Sequence, residues 1–353
     1  MGMNWIAKLA AKAPVPIFIA RGNDAPDETD KLHLNPNLSI VDTPRAASIL
    51  LVAGTIPHAL TAHLHRLHDQ LPHPRATIFW HSSPTDQLSS ALGVTHGDDL
   101  GSFLLQTRAA LLTGERASEA DVLPDEPANV WRGVGPHGQG GKGMMGGTPY
   151  GRPMAMTDDD MRDGLKLDAY TADFGPFLTM LPSGMMLKIT LQGDLFQKVA
   201  VVSPPYEDAR QGREIRTLLK LLGLPTLANR LLIENAHCEA GFKRLVTLSG
   251  VRRAIPPDLG RTHDGSDVRS RFEHMLNDPS NPQNLHLMGL GLGDLLAGRE
   301  WQEAMLILNS FDNTSLRKIC ANTPTDATDD MGDSSEQASG GHEGMDHSSH
   351  GGH

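Results

Sequence analysis

Cysteine is nearly absent from this sequence, which has only Cys238 and Cys320 among its 353 residues. Iron–sulfur clusters are held by sets of cysteine thiolates, so the chain cannot by itself hold a cysteine-ligated cluster, and it lacks the Cys-x-x-Cys pairs of a nickel–iron centre. Two unpaired cysteines also fit a reducing compartment. We therefore expect a cytoplasmic protein without an iron–sulfur cluster of its own.

Long apolar runs are missing as well. A bilayer span needs about 20 apolar residues, whereas the longest early run, residues 15–20, is interrupted by proline. A secretory signal needs an unbroken apolar segment, and residues 5–20 mix lysine and proline into it. The formal charge of -11 argues against binding a phosphate backbone. The sequence thus predicts no transmembrane segment and no nucleic-acid partner.

Aromatic residues are few, while 36 glycines and 24 prolines indicate many loops and turns. Apolar runs at 47–54 and 76–80 are typical of strands buried on both faces, and helical patterns follow at 57–70 and 100–112. Alternating strands and helices predict a small doubly wound, flavodoxin-like parallel sheet of the α/β class.

The second half has a different pattern, of the α+β class. Apolar and polar residues alternate over 187–192, Gly193 and Asp194 form a turn, and 195–202 continues as a strand, which predicts a β-hairpin. A mainly helical region follows, with helices predicted over 213–222, 227–249, 267–276 and 293–310. We predict an N-terminal extension (1–35), an α/β domain (36–115), a linker with a glycine-rich loop (116–174), a hairpin and helical domain (175–322), and a disordered tail (323–353).

The glycine-rich loop resembles a phosphate cradle, because consecutive backbone N–H groups can bind an anion and Lys142 adds charge. Its spacing does not match a Walker loop, since Pro136 occupies the first glycine position and Gly143 follows the lysine. A close-packed loop lying under another subunit is the favoured interpretation.

Two groups of polar residues on predicted helices have simple explanations. His58, His63, His65 and His68 could bind a metal, but solvated histidines on an exposed helix face are favoured. Residues 234, 237 and 238 offer an acid, a base and a nucleophile on one helix, although packing explains them more simply. We predict no catalytic residue.

The histidine- and methionine-bearing C-terminal tail leaves two alternatives open. Imidazole and thioether groups bind copper or nickel, and a flexible chain can wrap around an ion. A solvated low-complexity tail with no ligand is the other alternative. The candidate metal ligands are His342, Met345, His347, His350 and His353.

Residues 42–55 and 68–80, with a Pro-Arg turn, a strand ending in Val-Ala-Gly and a helix closing on Asp-Gln-Leu-Pro, resemble the small iron–sulfur subunit of complex I and of related membrane-bound NiFe hydrogenases. Residues 175–194, in which a Gly-Pro loop precedes a hairpin, resemble the start of the large subunit. In that family the two subunits pack together around the terminal cluster and the quinone or nickel–iron cavity. The resemblance therefore implies a fusion of two junction subunits.

The sequence departs from the family where cofactors would bind. No cysteine follows the strand that ends at Trp80, and the 175–184 loop has no histidine for a quinone headgroup. The resemblance thus implies a non-catalytic or coupling subunit of a complex I-like or hydrogenase-like electron-transfer or ion-translocating complex. Such a subunit would lack its own cluster and be held at the inner membrane by partner proteins.

Two alternatives remain open beside this hypothesis. The chain could be an NADH–quinone oxidoreductase-type subunit that binds quinone in a crevice between its domains, or a carrier that binds copper or nickel through its tail. The residues predicted to line the quinone crevice or a partner contact are Gly140, Gly141, Lys142, Gly143, Gly175 and Pro176.

Overall fold

The computed structural model describes residues 13–88, 91–94, 99–124, 156–157, 164, 167–207, 213–233, 240–278, 281, 283 and 285–324. These residues form a parallel sheet with flanking helices, followed by an antiparallel sheet that packs against a group of helices. The predicted mixed fold, α/β followed by a hairpin and helical region, is confirmed.

Five parallel strands form the first sheet, in the order β2-β1-β3-β4-β5. This order is that of doubly wound flavodoxin-like folds. The strands are β1 (Val15–Arg21), β2 (Leu38–Ile40), β3 (Ile49–Ala53), β4 (Ala76–Trp80) and β5 (Leu92–Val94).

Both faces of this sheet are covered, which explains the unbroken apolar sequences of its strands. Helix α2 (Thr61–Asp69) packs on the face that carries Phe18 and Leu50, and helix α3 (Leu100–Thr113) packs on the face that carries Ile17 and Leu51. A short helix, α1 (Glu28–Lys31), lies in the crossover between β1 and β2. Every residue of β3 and β4 is buried, as expected for central parallel strands.

The second sheet is antiparallel and contains the predicted hairpin. Its strands pair in the order β6-β7-β8-β9, and Gly193 turns β8 into β9 with a φ of 65°. The bounds are β6 (Met156–Thr157), β7 (Asp168–Phe174), β8 (Met186–Gln192) and β9 (Leu195–Ser203).

One large apolar core joins this sheet to the helices that follow it, with Phe196, Phe242, Phe272 and Phe311 almost completely buried. Asp267 caps α8 and accepts from the Ser270 N–H at 2.8 Å. The helices are α4 (Arg213–Leu221), α5 (Pro225–Ile233), α6 (Ala240–Leu248), α7 (Val251–Ala254), α8 (Val268–Asn277), α9 (Leu292–Leu296), α10 (Trp301–Leu308) and α11 (Asn313–Ala321).

The predicted helix 293–310 is instead two helices, α9 and α10. Gly298 between them has a φ of 72°, and its N–H donates to the Phe196 carbonyl at 2.8 Å, while the Arg299 carbonyl accepts from the Phe196 N–H at 2.9 Å. Because Gly298 and Arg299 pair with β9, they do not adopt helical geometry. The predicted helix 227–249 corresponds to α5 and α6, with residues 234–239 between them outside the described residues.

The sheet begins earlier than the predicted domain boundary. Strand β1 lies within residues 1–35, the predicted N-terminal extension, and it is hydrogen-bonded to both β2 and β3. Strand β7 likewise lies within the predicted linker 116–174 and pairs with β8. None of the helices in the described ranges is long and apolar enough to cross a bilayer.

The start of the predicted linker is fixed to the first domain by a buried polar network. Glu119 is 5% exposed, and its Oε1 accepts from the Thr77 N–H at 2.9 Å and from Arg116 at 3.1 Å. The two ring nitrogens of His68 contact the carboxylates of Asp69 at 2.7 Å and Glu119 at 3.3 Å. The interpretation of solvated histidines is therefore wrong for His68, which is completely buried.

His65 is buried too, and its Nε2 lies 3.2 Å from the Thr85 hydroxyl. Both buried histidines lie on the buried face of α2, together with Leu64 and Leu67. Their function is therefore structural, because their partners are groups that tie neighbouring segments to α2.

We predict that Glu119→Gln lowers the free energy of unfolding by about 2 kcal/mol, because a buried acceptor of several charge-assisted hydrogen bonds is lost. Burial alone would raise the pKa of Glu119, but hydrogen bonds from His68, Thr77 and Arg116 outweigh it and lower this pKa. The carboxylate therefore stabilises the fold above the unfolded pKa of about 4.5, and this contribution disappears as the pH falls through the folded pKa.

Urea denaturation of both proteins between pH 7 and pH 3 tests this prediction. The difference in unfolding free energy should be largest at pH 7 and should shrink below about pH 4.5. Glu115→Gln, at an exposed position four residues earlier, is the matched control and should change stability little. Equal stability of the two variants at pH 7 would contradict the role of the network.

Candidate functional site: an interdomain cavity

A cavity of about 490 Å³ lies between the two domains. On one side are the carboxyl ends of β1 and β2 with the crossover between them, and on the other are helix α4 and the loop 176–183. Open α/β sheets bind ligands outside the carboxyl ends of their strands. The cavity is therefore where this fold class would hold a small molecule.

The cavity lies beside the switch point between β1 and β3, which is closed by backbone pairing. The Asn23 N–H donates to the Thr55 carbonyl at 2.8 Å, and the Thr55 N–H donates to the Asn23 carbonyl at 2.9 Å. A Cβ on Gly54 would lie 2.2 Å from the Asn23 carbonyl oxygen, so these loops approach too closely for any other residue. Space for a ligand is therefore left on the β1 and β2 side.

The loop after Gly175 forms one wall and joins the domains. Gly175 has a φ of 111°, and a Cβ there would lie 2.2 Å from the Met185 carbonyl oxygen. The Asn309 amide donates to the Met180 carbonyl at 2.8 Å, which fixes the middle of the loop to α10. Phe177 packs into the apolar cluster of the first domain, which also contains Phe18. The loop is thus held from both sides.

Opposite this loop lies a cluster of charged groups, centred on Asp30. Its carboxylate accepts from Arg21, from Arg213 Nε at 3.3 Å and from Arg216 Nη1 at 2.9 Å. Arg21 is the last residue of β1 and Asp30 lies in α1, whereas Arg213 and Arg216 belong to α4. One carboxylate therefore links three guanidinium groups across the domain boundary.

The sequence of α4 explains why its cations face the cavity. Arg213, Arg216, Thr217 and Lys220 recur at helical spacing and all line the cavity. Ile215, Leu218 and Leu219 lie on the other side of the helix, in the core of the second domain. Because the apolar face must be buried there, the cationic face is directed towards β1 and α1.

The pKa values in the cluster reflect its burial and its excess of positive charge. Burial alone would raise the pKa of Asp30, but the neighbouring guanidiniums, Arg21 first among them, hold this pKa well below its usual range. Burial lowers the pKa of Arg21 to about 10, and Arg213 and Arg216 add to that effect while Asp30 opposes it. Asp30 and Arg21 are therefore both charged at pH 7.

His33 and Lys220 extend the cluster towards the cavity mouth, with 3.3 Å between His33 Nε2 and Lys220 Nζ. Loss of hydration, then Lys220 and Arg216, lower the pKa of His33 to about 4, so its ring is neutral at pH 7. The pKa of Lys220 is lowered by loss of hydration and by Arg216. His33 therefore accepts a hydrogen bond and adds no charge of its own.

Several buried polar atoms in this wall have no hydrogen-bond partner in the described residues. They are Arg21 Nη1, Arg213 Nη2 and Arg216 Nε, together with the Oδ1 atom of Asn313 on a neighbouring part of the lining. Buried donors are normally paired, because an unpaired one costs about 1–3 kcal/mol. The three arginines that carry these donors all line the cavity, and part of their hydrogen-bonding capacity is unused within the described residues.

The rest of the lining is mainly apolar. The loop 176–183 and the helices α10 and α11 contribute the side chains that face the charged wall. These apolar residues include Phe177, Leu178, Met180, Leu308, Phe311 and Leu316.

Some of the site residues predicted from the sequence lie at this cavity, and others lie outside the described residues. Pro176 is part of its lining and Gly175 precedes it directly. Residues 140–143 and the tail ligands His342, Met345, His347, His350 and His353 lie outside the described residues, as do residues 234, 237 and 238. Within the described ranges, no group of three or more His, Cys, Asp or Glu side chains could hold a metal ion.

The charged cluster was not predicted from the sequence. Its signals are a cation that ends an apolar strand, at Arg21, and three cations on one face of a short amphipathic helix. Neither signal shows that the two elements meet. Cys320, by contrast, has no place in the site, because it is buried in the core and its pKa is raised to about 11 by burial.

No family model matches the chain, and neither does any curated protein.

We predict that Asp30→Asn lowers the free energy of unfolding by about 3 kcal/mol, because removing one partner of a buried ion pair leaves uncompensated charge. Three guanidiniums would then repel one another at the domain boundary. Urea denaturation at low and high ionic strength measures the effect, and salt should reduce it by screening the repulsion. The control is Asp86→Asn, at an exposed position, and a loss no greater than that of the control would contradict the prediction.

Proposed function

We propose that the protein binds a small molecule in the cavity between its two domains. The observation that carries this proposal is the cavity itself, whose volume of about 490 Å³ lies in the range of ligand sites. An apolar wall faces a wall with a few convergent polar groups, which is the usual composition of a ligand site.

The lining residues are suited to binding rather than to chemistry. Guanidinium, amide and hydroxyl groups dominate the polar wall, and they orient a ligand by hydrogen bonds. His33 is the lining histidine, and its Nε2 is engaged by Lys220. We therefore assign the cavity a binding role, in keeping with a non-catalytic subunit.

We further propose that this binding serves a non-catalytic or coupling subunit of a complex I-like or hydrogenase-like membrane-associated complex. One observation supports it: the two segments that carry the resemblance meet at the cavity, which is lined by Asp42 from the first and by residues 176–183 from the second. In that family the corresponding subunits enclose the quinone or nickel–iron cavity. A quinone is therefore one ligand that the proposal includes.

The ligand proposal predicts that decylubiquinone or another amphipathic ligand raises the melting temperature of the full chain by about 5 °C at a hundredfold excess over Kd. Thr217→Phe should abolish this shift, because Thr217 lines the cavity and a phenyl ring would fill it. Thr217→Ser leaves the cavity open and should keep the shift. Equal shifts in the two variants would place binding outside the cavity.

The assembly proposal predicts that the chain, isolated from its native membrane by an affinity tag, retains membrane-embedded subunits of an ion-translocating complex through native electrophoresis. Purified alone, it should contain no stoichiometric iron and no visible cluster absorption. The Phe177→Ala variant weakens the docking of the two domains, since Phe177 joins them. Comparing its migration with that of the unaltered chain shows whether assembly depends on domain docking. Stoichiometric iron, or migration as the free chain from native membrane, would contradict this proposal.

A further inference from the structure

We propose that the interdomain cavity binds an oxyanion, a carboxylate or phosphate group, through the guanidinium groups of Arg21, Arg213 and Arg216. This inference rests on the proposed function, because it specifies the chemical class of the ligand in the same cavity. Two observations carry it: the charge of the cluster and its unpaired donors.

The charge of the cluster is unbalanced. Three guanidiniums surround the single carboxylate of Asp30, which leaves a net charge of about +2 at that point. Over the whole lining, Lys220 adds one positive charge and Asp42 and Glu214 add two negative charges, so the wall as a whole has a net charge of +1. Asp42 is exposed, and its charge acts on Lys220. The excess at Arg21, Arg213 and Arg216 is therefore local and partly buried.

Each of the three guanidiniums keeps a buried donor without a partner in the described residues. Arg216 is 8% exposed, and its Nε has no acceptor although its Nη1 binds Asp30. Arg21 and Arg213 each engage Asp30 with one nitrogen and leave another nitrogen unpaired. The Asp30 carboxylate thus uses only part of the donor capacity that converges on it.

An oxyanion would both balance the excess positive charge and accept hydrogen bonds from the unpaired donors. A carboxylate or phosphate supplies two or more acceptor oxygens and at least one negative charge, and guanidinium groups bind such groups in a bidentate manner. A neutral carbonyl would supply an acceptor without balancing the charge. Water would fill the hydrogen bonds and leave the charge unchanged.

The remaining volume of the cavity accommodates more than the anionic group. Beyond the cluster, the apolar side chains of the 176–183 loop and of α10 and α11 continue the lining. The same oxyanion chemistry could come from free phosphate or from an amphipathic molecule with an anionic headgroup. Probes with and without an alkyl chain distinguish these two sources.

Calorimetric titration of the full chain at constant ionic strength tests the proposal with inorganic phosphate, octyl phosphate, octanoate and neutral octanol. We expect octanoate to bind at least tenfold more tightly than octanol. Arg213→Gln and Arg216→Gln should each weaken octanoate binding about tenfold or more, because each removes a charge-assisted interaction, and should leave octanol binding unchanged. Arg253→Gln, at an exposed position on α7, is the matched control and should change neither.

A second test looks for a gain of affinity, which misfolding of a variant would not produce. Asp30→Asn removes the carboxylate that competes for the guanidiniums, so the affinity for octyl phosphate should rise several-fold even though the variant is less stable. Equal affinities for phosphate and octyl phosphate would indicate a free oxyanion as the ligand, whereas tighter binding of octyl phosphate would indicate an anionic amphiphile. Either of these results supports the proposal.

Equal affinities for octanoate and octanol, unaffected by Arg213→Gln, would overturn the oxyanion proposal while leaving a cavity that binds neutral ligands. In that case the proposed function stands. Failure of every probe to bind, decylubiquinone included, would overturn both.

Discussion

The carboxylate of Asp30 is the centre of the charged contact between the two domains. It accepts hydrogen bonds from Arg21 of the parallel sheet and from Arg213 and Arg216 of helix α4, which lie 183 and 186 positions further along the chain than Asp30. Phe177 adds an apolar contact at the same boundary by packing into the first domain. A charged link and an apolar contact therefore join the domains at the cavity, which is lined by both Asp30 and Phe177.

This arrangement also determines the chemistry of the cavity. Helix α4 must bury Ile215, Leu218 and Leu219 in its own domain, so its cations face the first domain and meet one acidic partner there. The loop that carries Phe177 must pass Gly175 and Gly184 at positive φ values, where a Cβ would collide with the Met185 carbonyl oxygen and with the Tyr206 ring. A polar wall thus faces an apolar wall because each domain buries its own apolar residues in its core.

Local patterns in the sequence were sufficient to predict the elements whose burial is set within one domain. Strands β3 and β4, the β8–β9 hairpin and helix α8 follow from apolar runs, alternation and helical periodicity. Strand β1 was not predicted because prolines flank its first residue, Val15, although the Pro16 carbonyl still accepts from the Ser48 N–H at 3.0 Å. The break at Gly298 depends on pairing with Phe196, and the Asp30 cluster depends on contacts between residues 183 positions apart. Neither feature can therefore be predicted from the local sequence.

A purely structural role explains the Asp30 cluster incompletely. Buried ion pairs can often be replaced by apolar residues without loss of stability, so a cluster that only joined two domains would need no excess of cations. A balanced link would require one guanidinium for this carboxylate, whereas three converge on it and each retains an unpaired donor. The excess costs stability through repulsion and desolvation in the unliganded protein. An anionic ligand would offset that cost when it binds, which makes the cluster easier to understand as a binding site than as a joint.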